Sequence, residues 1–244
     1  MSVLDLFFPV NCKCMFCNCE TPEFGICDKC LSELPFIKSP TCDKCGGENH
    51  GRGAVCIECK GREHYFDKTY CVFHYTGDVR DKIVNFKQGG KKYLGYSFAW
   101  LVEKKYLEIE ENIDIIIPVP INESRLKERG FNQSEVLCEE LLPTGKVDNS
   151  ILIRVNDTPH QTGLSRENRE KNLKDCFRLV DSKKIKGKNI LIVDDIYTTG
   201  STLNECARLL KIKGANKVIG LCLARAVIDK SRIVGGAQLK FPKN

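Results

Sequence analysis

The sequence predicts an α/β protein, a mostly parallel sheet flanked by helices, with a small cysteine-rich module at its N-terminal end. Three observations carry this reading. Residues 113–120, 190–193 and 217–225 are apolar with little alternation, as strands covered on both faces require. Stretches with helical period separate them, at 78–89, 91–106, 132–142 and 201–214. Finally, 10 of the 15 cysteines fall within the first 60 residues, and the composition changes abruptly there. The expected organisation is therefore a cysteine-rich module over 1–60, a polar linker over 61–69, an α/β domain over 70–225 and a basic tail over 226–244.

At 244 residues the chain can bury a substantial core. Its formal charge of +6 helps attract phosphates but does not by itself imply nucleic acid. No apolar run approaches the roughly 20 residues of a membrane span. The first residues lack a basic n-region followed by a long apolar stretch. The expectation is a cytoplasmic protein with no membrane insertion.

In the N-terminal module four Cys-x-x-Cys pairs follow one another: Cys14/Cys17, Cys27/Cys30, Cys42/Cys45 and Cys56/Cys59. Two thiolates spaced this way face one ion at a tight turn, and two such pairs complete a tetrahedral site. Reduced cysteines in a cytosolic chain favour metal over disulfides. With every position filled by protein, the metal is structural zinc, an iron–sulfur cluster being the alternative. Cys12 and Cys19 blur the first register, and the spacing leaves open whether pairs combine in sequence or interleave. Few large apolar side chains are present, so metal supplies much of the folding energy.

The α/β region begins with a β-prone stretch at 70–75, then a helix whose apolar side carries Val79, Ile83 and Phe86. Basic residues gather after it, and Lys87 is the one assigned to a phosphate. The strand at 113–120 ends in prolines, which cannot continue a ladder. A loop with Arg125, Lys127 and Arg129 follows, then a helix from about 132. Residues 157–165 have turn chemistry, and Ser165 caps a basic helix that carries Arg166 and Arg169.

The strand at 190–193 runs into Asp194 and Asp195, then into Thr198, Thr199, Gly200, Ser201 and Thr202 before a helix. Ligands of parallel α/β sheets bind beyond the carboxyl ends of the strands. Hydroxyls and free N–H groups at a helix N-terminus suit a phosphate, and adjacent carboxylates suit sugar hydroxyls. A phosphorylated sugar satisfies both halves. Two acids beside an apolar run are costly unless something binds them.

This segment resembles the ribose-phosphate signature of the type I phosphoribosyltransferases. The resemblance implies that Asp194 and Asp195 hold the ribose hydroxyls of phosphoribosyl pyrophosphate (PRPP). It gives the 5-phosphate to Thr198–Thr202 and brings magnesium with the pyrophosphate. Pro118-Val-Pro120 and Arg129-Gly-Phe-Asn-Gln133, with Gln161, Leu164, Arg166 and Asn172, narrow the likeness to the ComF family (ComFC/GntX-like). Its members place a cysteine-rich zinc-ribbon module before a phosphoribosyltransferase-fold domain. By that analogy Arg125, Lys127 and Arg129 face the pyrophosphate, the alternative being a solvated basic loop. Arg166 and Arg169 belong to a closing lid, the alternative being an ordinary charged helix. The family further implies natural competence, DNA uptake, single-stranded DNA and other competence proteins as partners. The other reading is an active transferase moving phosphoribosyl from PRPP to an unknown acceptor in nucleotide metabolism. Neither a P-loop nor a Gly-x-Gly-x-x-Gly turn is present, which sets aside those nucleotide-binding classes.

Overall fold

The structure is a computed structural model that describes residues 12–21, 25–51, 53–88, 91–155 and 176–226. Its centre is a parallel four-stranded sheet of β3 (Lys68–His74), β4 (Ile115–Pro118), β7 (Asn189–Tyr197) and β8 (Lys217–Arg225). They lie in the order β3-β8-β7-β4. Ile190 to Val193 on β7 are fully buried, and the two-residue period sends neighbours to opposite faces. Leu191 and Val193 join one apolar layer with Ile83 and Phe86 of α2 (Gly77–Phe86) and Phe98 and Val102 of α3 (Leu94–Leu107). Ile190 and Ile192 join the other layer, with Leu203, Cys206 and Leu210 of the helix Ser201–Ile212. Each such side chain contributes about 1.5–3 kcal/mol on leaving water, so the unbroken apolar run follows from a sheet covered twice.

The N-terminal module packs directly on this domain. Two short strands, β1 (Cys12–Lys13) and β2 (Glu20–Thr21), pair antiparallel and lead to α1 (Asp28–Glu33). The next stretch runs beside β3: Ile37 N–H donates to Val72 O at 2.9 Å and His74 N–H to Pro35 O at 2.8 Å. Phe36 lies against Phe73, ring centroids 4.8 Å apart. The module therefore covers an edge that would otherwise present unpaired backbone groups.

The segment expected as a linker over 61–69 is fastened to the sheet. Tyr65 N–H donates to Asn204 Oδ1 at 2.8 Å, Phe66 is buried, and β3 begins at Lys68. Asp67 N–H donates to Val218 O at 2.8 Å, while Asp67 Oδ2 accepts from Val218 N–H at 2.7 Å. Polar composition conceals this, because the bonds run through backbone groups.

Two further stretches differ from expectation. The basic loop is a short helix, α4 (Glu123–Arg129), capped at its start by the Asn122 side chain on Arg125 N–H at 3.0 Å. It ends at Gly130 with φ 80°. No residue of α4 is buried, so it has no apolar stripe to betray it. The helix expected over 132–142 divides into α5 (Gln133–Leu137) and a 3₁₀ turn at Glu139–Thr144 that contains Pro143. A small antiparallel pair, β5 (Leu152–Arg154) with β6 (Phe177–Leu179), stands apart from the sheet, and α6 (Ser201–Ile212) links β7 to β8. Arg166, Arg169 and the tail from 227 onward lie outside the described residues. Among the described residues no helix is long and apolar enough to cross a membrane.

Candidate functional site

β7 carries Asp194 and Asp195 to the carboxyl end of the sheet, where two other elements meet them. Asp195 N–H donates to Asp194 Oδ1 at 2.8 Å, closing the two carboxylates into a fixed turn. From α5, Ser134 Oγ donates to the same oxygen at 3.5 Å. From the end of α2, Lys87 Nζ makes an ion pair with Asp195 Oδ2 at 2.8 Å. Burial pushes the Asp194 carboxyl up to about 7, with the Asp195 charge adding to it; the Asp195 N–H, Lys87 and Ser134 pull the other way. One acid is thus compensated by a cation and its neighbour sits near its ionisation point.

The following loop turns through Gly200, whose φ of 77° lies in the left-handed region. A side chain there would be strained, and a Cβ would stand only 2.6 Å from Tyr197 Cζ. Thr199 Oγ1 and Ser201 Oγ share a hydrogen bond of 2.6 Å, and Ser201 N–H donates to Thr199 Oγ1 at 3.4 Å. Gly200, at the N-cap of α6, has no side chain to cap the first turn, and the positive end of the helix dipole lies at this turn. Asp194, Thr198, Gly200, Ser201 and Thr202 line one small pocket together with Tyr197. The carboxylate and the anion-binding loop expected from sequence therefore share one wall.

The cations divide. Arg125 and Arg129, on one helix, are both half-buried. Burial and then the Arg125 charge lower the Arg129 guanidinium's affinity for its proton, and the Asp195 charge opposes them. Two guanidiniums so placed favour an anion between them. Lys87 is also in place, held by Asp195. Lys127 is different: it is exposed and pairs with Glu123 along the same helix at 3.8 Å.

The cysteines form two groups, each with four sulfurs within 4.8 Å of one another: Cys14, Cys17, Cys19 and Cys27, then Cys42, Cys45, Cys56 and Cys59. The pairs combine in sequence and do not interleave. Sulfur separations of 3.6 Å for Cys17–Cys27 and 3.8 Å for Cys45–Cys56 match the edge of a tetrahedron with metal–sulfur bonds of about 2.3 Å. Backbone N–H groups point at the sulfurs, from Cys27 to Cys14 at 3.4 Å and from Cys56 to Cys42 at 3.2 Å. Both donor sets fit structural zinc. In the first, Cys30, the assigned fourth member, stands in α1 close to the Cys14, Cys17 and Cys27 sulfurs, its N–H donating to Cys27 Sγ at 3.5 Å, and Cys19 approaches the same group, its sulfur 3.3 Å from Cys17 Sγ.

Ser134, Tyr197 and Arg225 are additions that the sequence reading did not single out. Ser134 had a signal in its position in the first turn of a helix following a strand. Tyr197 and Arg225 had none, since their neighbours on the ribbon side, Cys45, Glu58, Cys59 and Phe66, lie more than 100 positions away.

Comparison with known proteins agrees with this geometry. Residues 136–235 match the phosphoribosyl transferase domain, and residues 3–60 match the double zinc ribbon domain. Competence protein F of Haemophilus influenzae is 33% identical over 229 residues, covering 88% of this chain and 98% of that protein. DNA utilization protein YhgH of Escherichia coli K12 is 30% identical over 212 residues, with coverage of 84% and 92%. Competence protein ComFC of Bacillus subtilis is 28% identical over 200 residues, with coverage of 79% and 80%. The chain belongs to the ComF family, in which a double zinc ribbon precedes a phosphoribosyltransferase-type domain.

Proposed function

We propose that this chain binds PRPP with magnesium at the end of β7 and acts in DNA uptake and single-stranded DNA handling. One observation carries the binding half: the end of β7 sets Asp194 and Asp195 directly before the Gly200 turn and the start of α6, with Lys87 paired to Asp195 at 2.8 Å and Arg129 close enough to act on it. In this reading Asp194 and Asp195 accept from the ribose hydroxyls. Thr198 to Thr202 hold the 5-phosphate, and Arg125 and Arg129 face the pyrophosphate. Lys87 exchanges its carboxylate partner for a phosphate as the ligand enters. Lys127 would contribute only to the field around the entrance, and Arg166 and Arg169 to closure over the ligand. Magnesium supplies charge neutralisation at the pyrophosphate when it arrives with the ligand. The DNA half is supported by the names of the relatives, competence and DNA utilization proteins. In this reading the protein works in the cytoplasm with other competence proteins.

The test is calorimetric titration of magnesium and PRPP into the full chain and into an Asp194→Asn/Asp195→Asn variant. Binding by the wild type that the variant loses is expected, and silence from the wild type ends the pocket assignment. A pyrophosphate-release assay across nucleobases and amines then decides whether the chain is an active transferase. Single-stranded DNA binding should weaken steeply with salt, as phosphate contacts require. Affinity independent of salt would end the DNA half.

A further inference from the structure

The second cysteine group lies against the back of the phosphate loop, and two residues join them. Tyr197, the last residue of β7, is buried and packs edge-on to Phe66 at 6.4 Å. Its phenol is close enough to the Cys59 and Cys45 sulfurs to feel their charge. On its other side the same ring fills the space that a side chain at Gly200 would need. Across the strand pair Tyr197 stands opposite Arg225, the last residue of β8, and Ala226 N–H donates to Tyr197 O at 2.9 Å. The Arg225 guanidinium lies beside the Cys45 sulfur and donates from Nη2 to Glu58 Oε2 at 3.4 Å. Its Nε is buried with no hydrogen-bond partner. A Cβ on Gly47, between the two cysteine pairs, would meet that Nε at 2.5 Å. The ribbon backbone thus leaves a slot that the guanidinium fills.

Four thiolates around one divalent ion carry a net charge of about −2, which is costly in a buried site without a cation nearby. Glu58 adds to that charge, and Arg225 offsets it. We propose that Arg225 is the outer-shell cation of the second zinc site. Through Arg225 and Tyr197, the order of the phosphate loop depends on that site holding its metal. The second ribbon is then a support for the ligand pocket. The loop's ligand rests on the function proposed above, whereas the dependence of the loop on the metal does not.

The experiment uses the full zinc-loaded chain. Zinc release to a chromophoric chelator is followed in wild type, Arg225→Gln, Arg225→Lys and Gly47→Ala, the last of which displaces the guanidinium without removing its charge. One of the two zinc equivalents is expected to leave about tenfold faster in Arg225→Gln and Gly47→Ala, with Arg225→Lys in between. Release at the wild-type rate in both Arg225→Gln and Gly47→Ala overturns the outer-shell role. Hydrogen exchange of residues 197–203 is then compared before and after loss of the second site's metal. Faster exchange in that loop is expected, and unchanged protection overturns the coupling. Equal loosening after loss of the first site's metal, through Cys17→Ser, also overturns it. These readouts need no PRPP, so a wild type that fails to bind PRPP refutes the ligand reading and leaves this test standing.

Discussion

Replacing Asp194 by Asn should stabilise the protein while abolishing its binding to PRPP. A carboxyl raised to about 7 by burial and by Asp195 is up to about 4 kcal/mol harder to ionise than one titrating near 3.9. Solvent reaching the half-buried side chain from the pocket roughly halves that figure, to about 2 kcal/mol. The sign follows from proton linkage. Between pH about 4 and about 7 the folded state holds a proton that the unfolded chain has lost, so wild-type stability falls as pH rises through that window. Asn is neutral throughout and keeps an oxygen to accept from Asp195 N–H and Ser134 Oγ. Its advantage should therefore vanish toward pH 4 and grow as pH rises through that window, to about 2 kcal/mol at pH 8. For a chain of this size the upper value is a melting point about 4–8 °C higher. Thermal unfolding of both proteins across pH 5.5–8 measures it, each pH being its own comparison so that effects on the zinc sites cancel. An advantage that stays constant or shrinks with pH would refute the reasoning, and so would a destabilised variant at pH 8.

Three further outcomes follow from the same geometry. Gly200→Ala forces a left-handed backbone on a residue with a Cβ and drives it into Tyr197, costing about 1–2 kcal/mol from the backbone alone. Its melting point should drop and PRPP affinity with it, and a variant that binds normally would show that the loop is not the anion site. Arg129→Gln removes a desolvated cation beside Arg125, so PRPP affinity should fall at least about tenfold with no loss of thermal stability. A lowered melting point with intact binding would make Arg129 structural. At the first zinc site Cys30→Ser should speed zinc release more than Cys19→Ser, because Cys30 stands close to the Cys14, Cys17 and Cys27 sulfurs, whereas the 3.3 Å between the Cys17 and Cys19 sulfurs is shorter than the edge of a tetrahedron with metal–sulfur bonds of about 2.3 Å. The reverse order would put Cys19 in the ligand set in its place.

The sheet was legible because its strands obey a local rule. An apolar run such as 217–225 needs only neighbours on both faces to become β8, whose limits coincide with the expectation. The acids and the loop were legible for a similar reason, since Asp194 to Thr202 are contiguous and their chemistry is carried within one strand–turn–helix unit. Short elements that depend on caps were less so. α4 holds no buried residue, and only Asn122 and Gly130 mark its ends. The stretch at 61–69 reads as a polar linker because side-chain polarity says nothing about backbone partners such as Val218.

By itself the sequence determined the α/β class, the eight Cys-x-x-Cys positions and the residue types of the pocket, all of which are properties of spacing within a few residues. Tertiary structure decided the rest. It joined the cysteine pairs in sequence and set Lys87 on Asp195. It also brought Arg225 and Tyr197 between the second ribbon and the Gly200 loop. These depend on distances between segments up to 180 positions apart in the chain. Only the packed sheet fixes such distances, because a charge or a ring acts on whatever lies beside it in space.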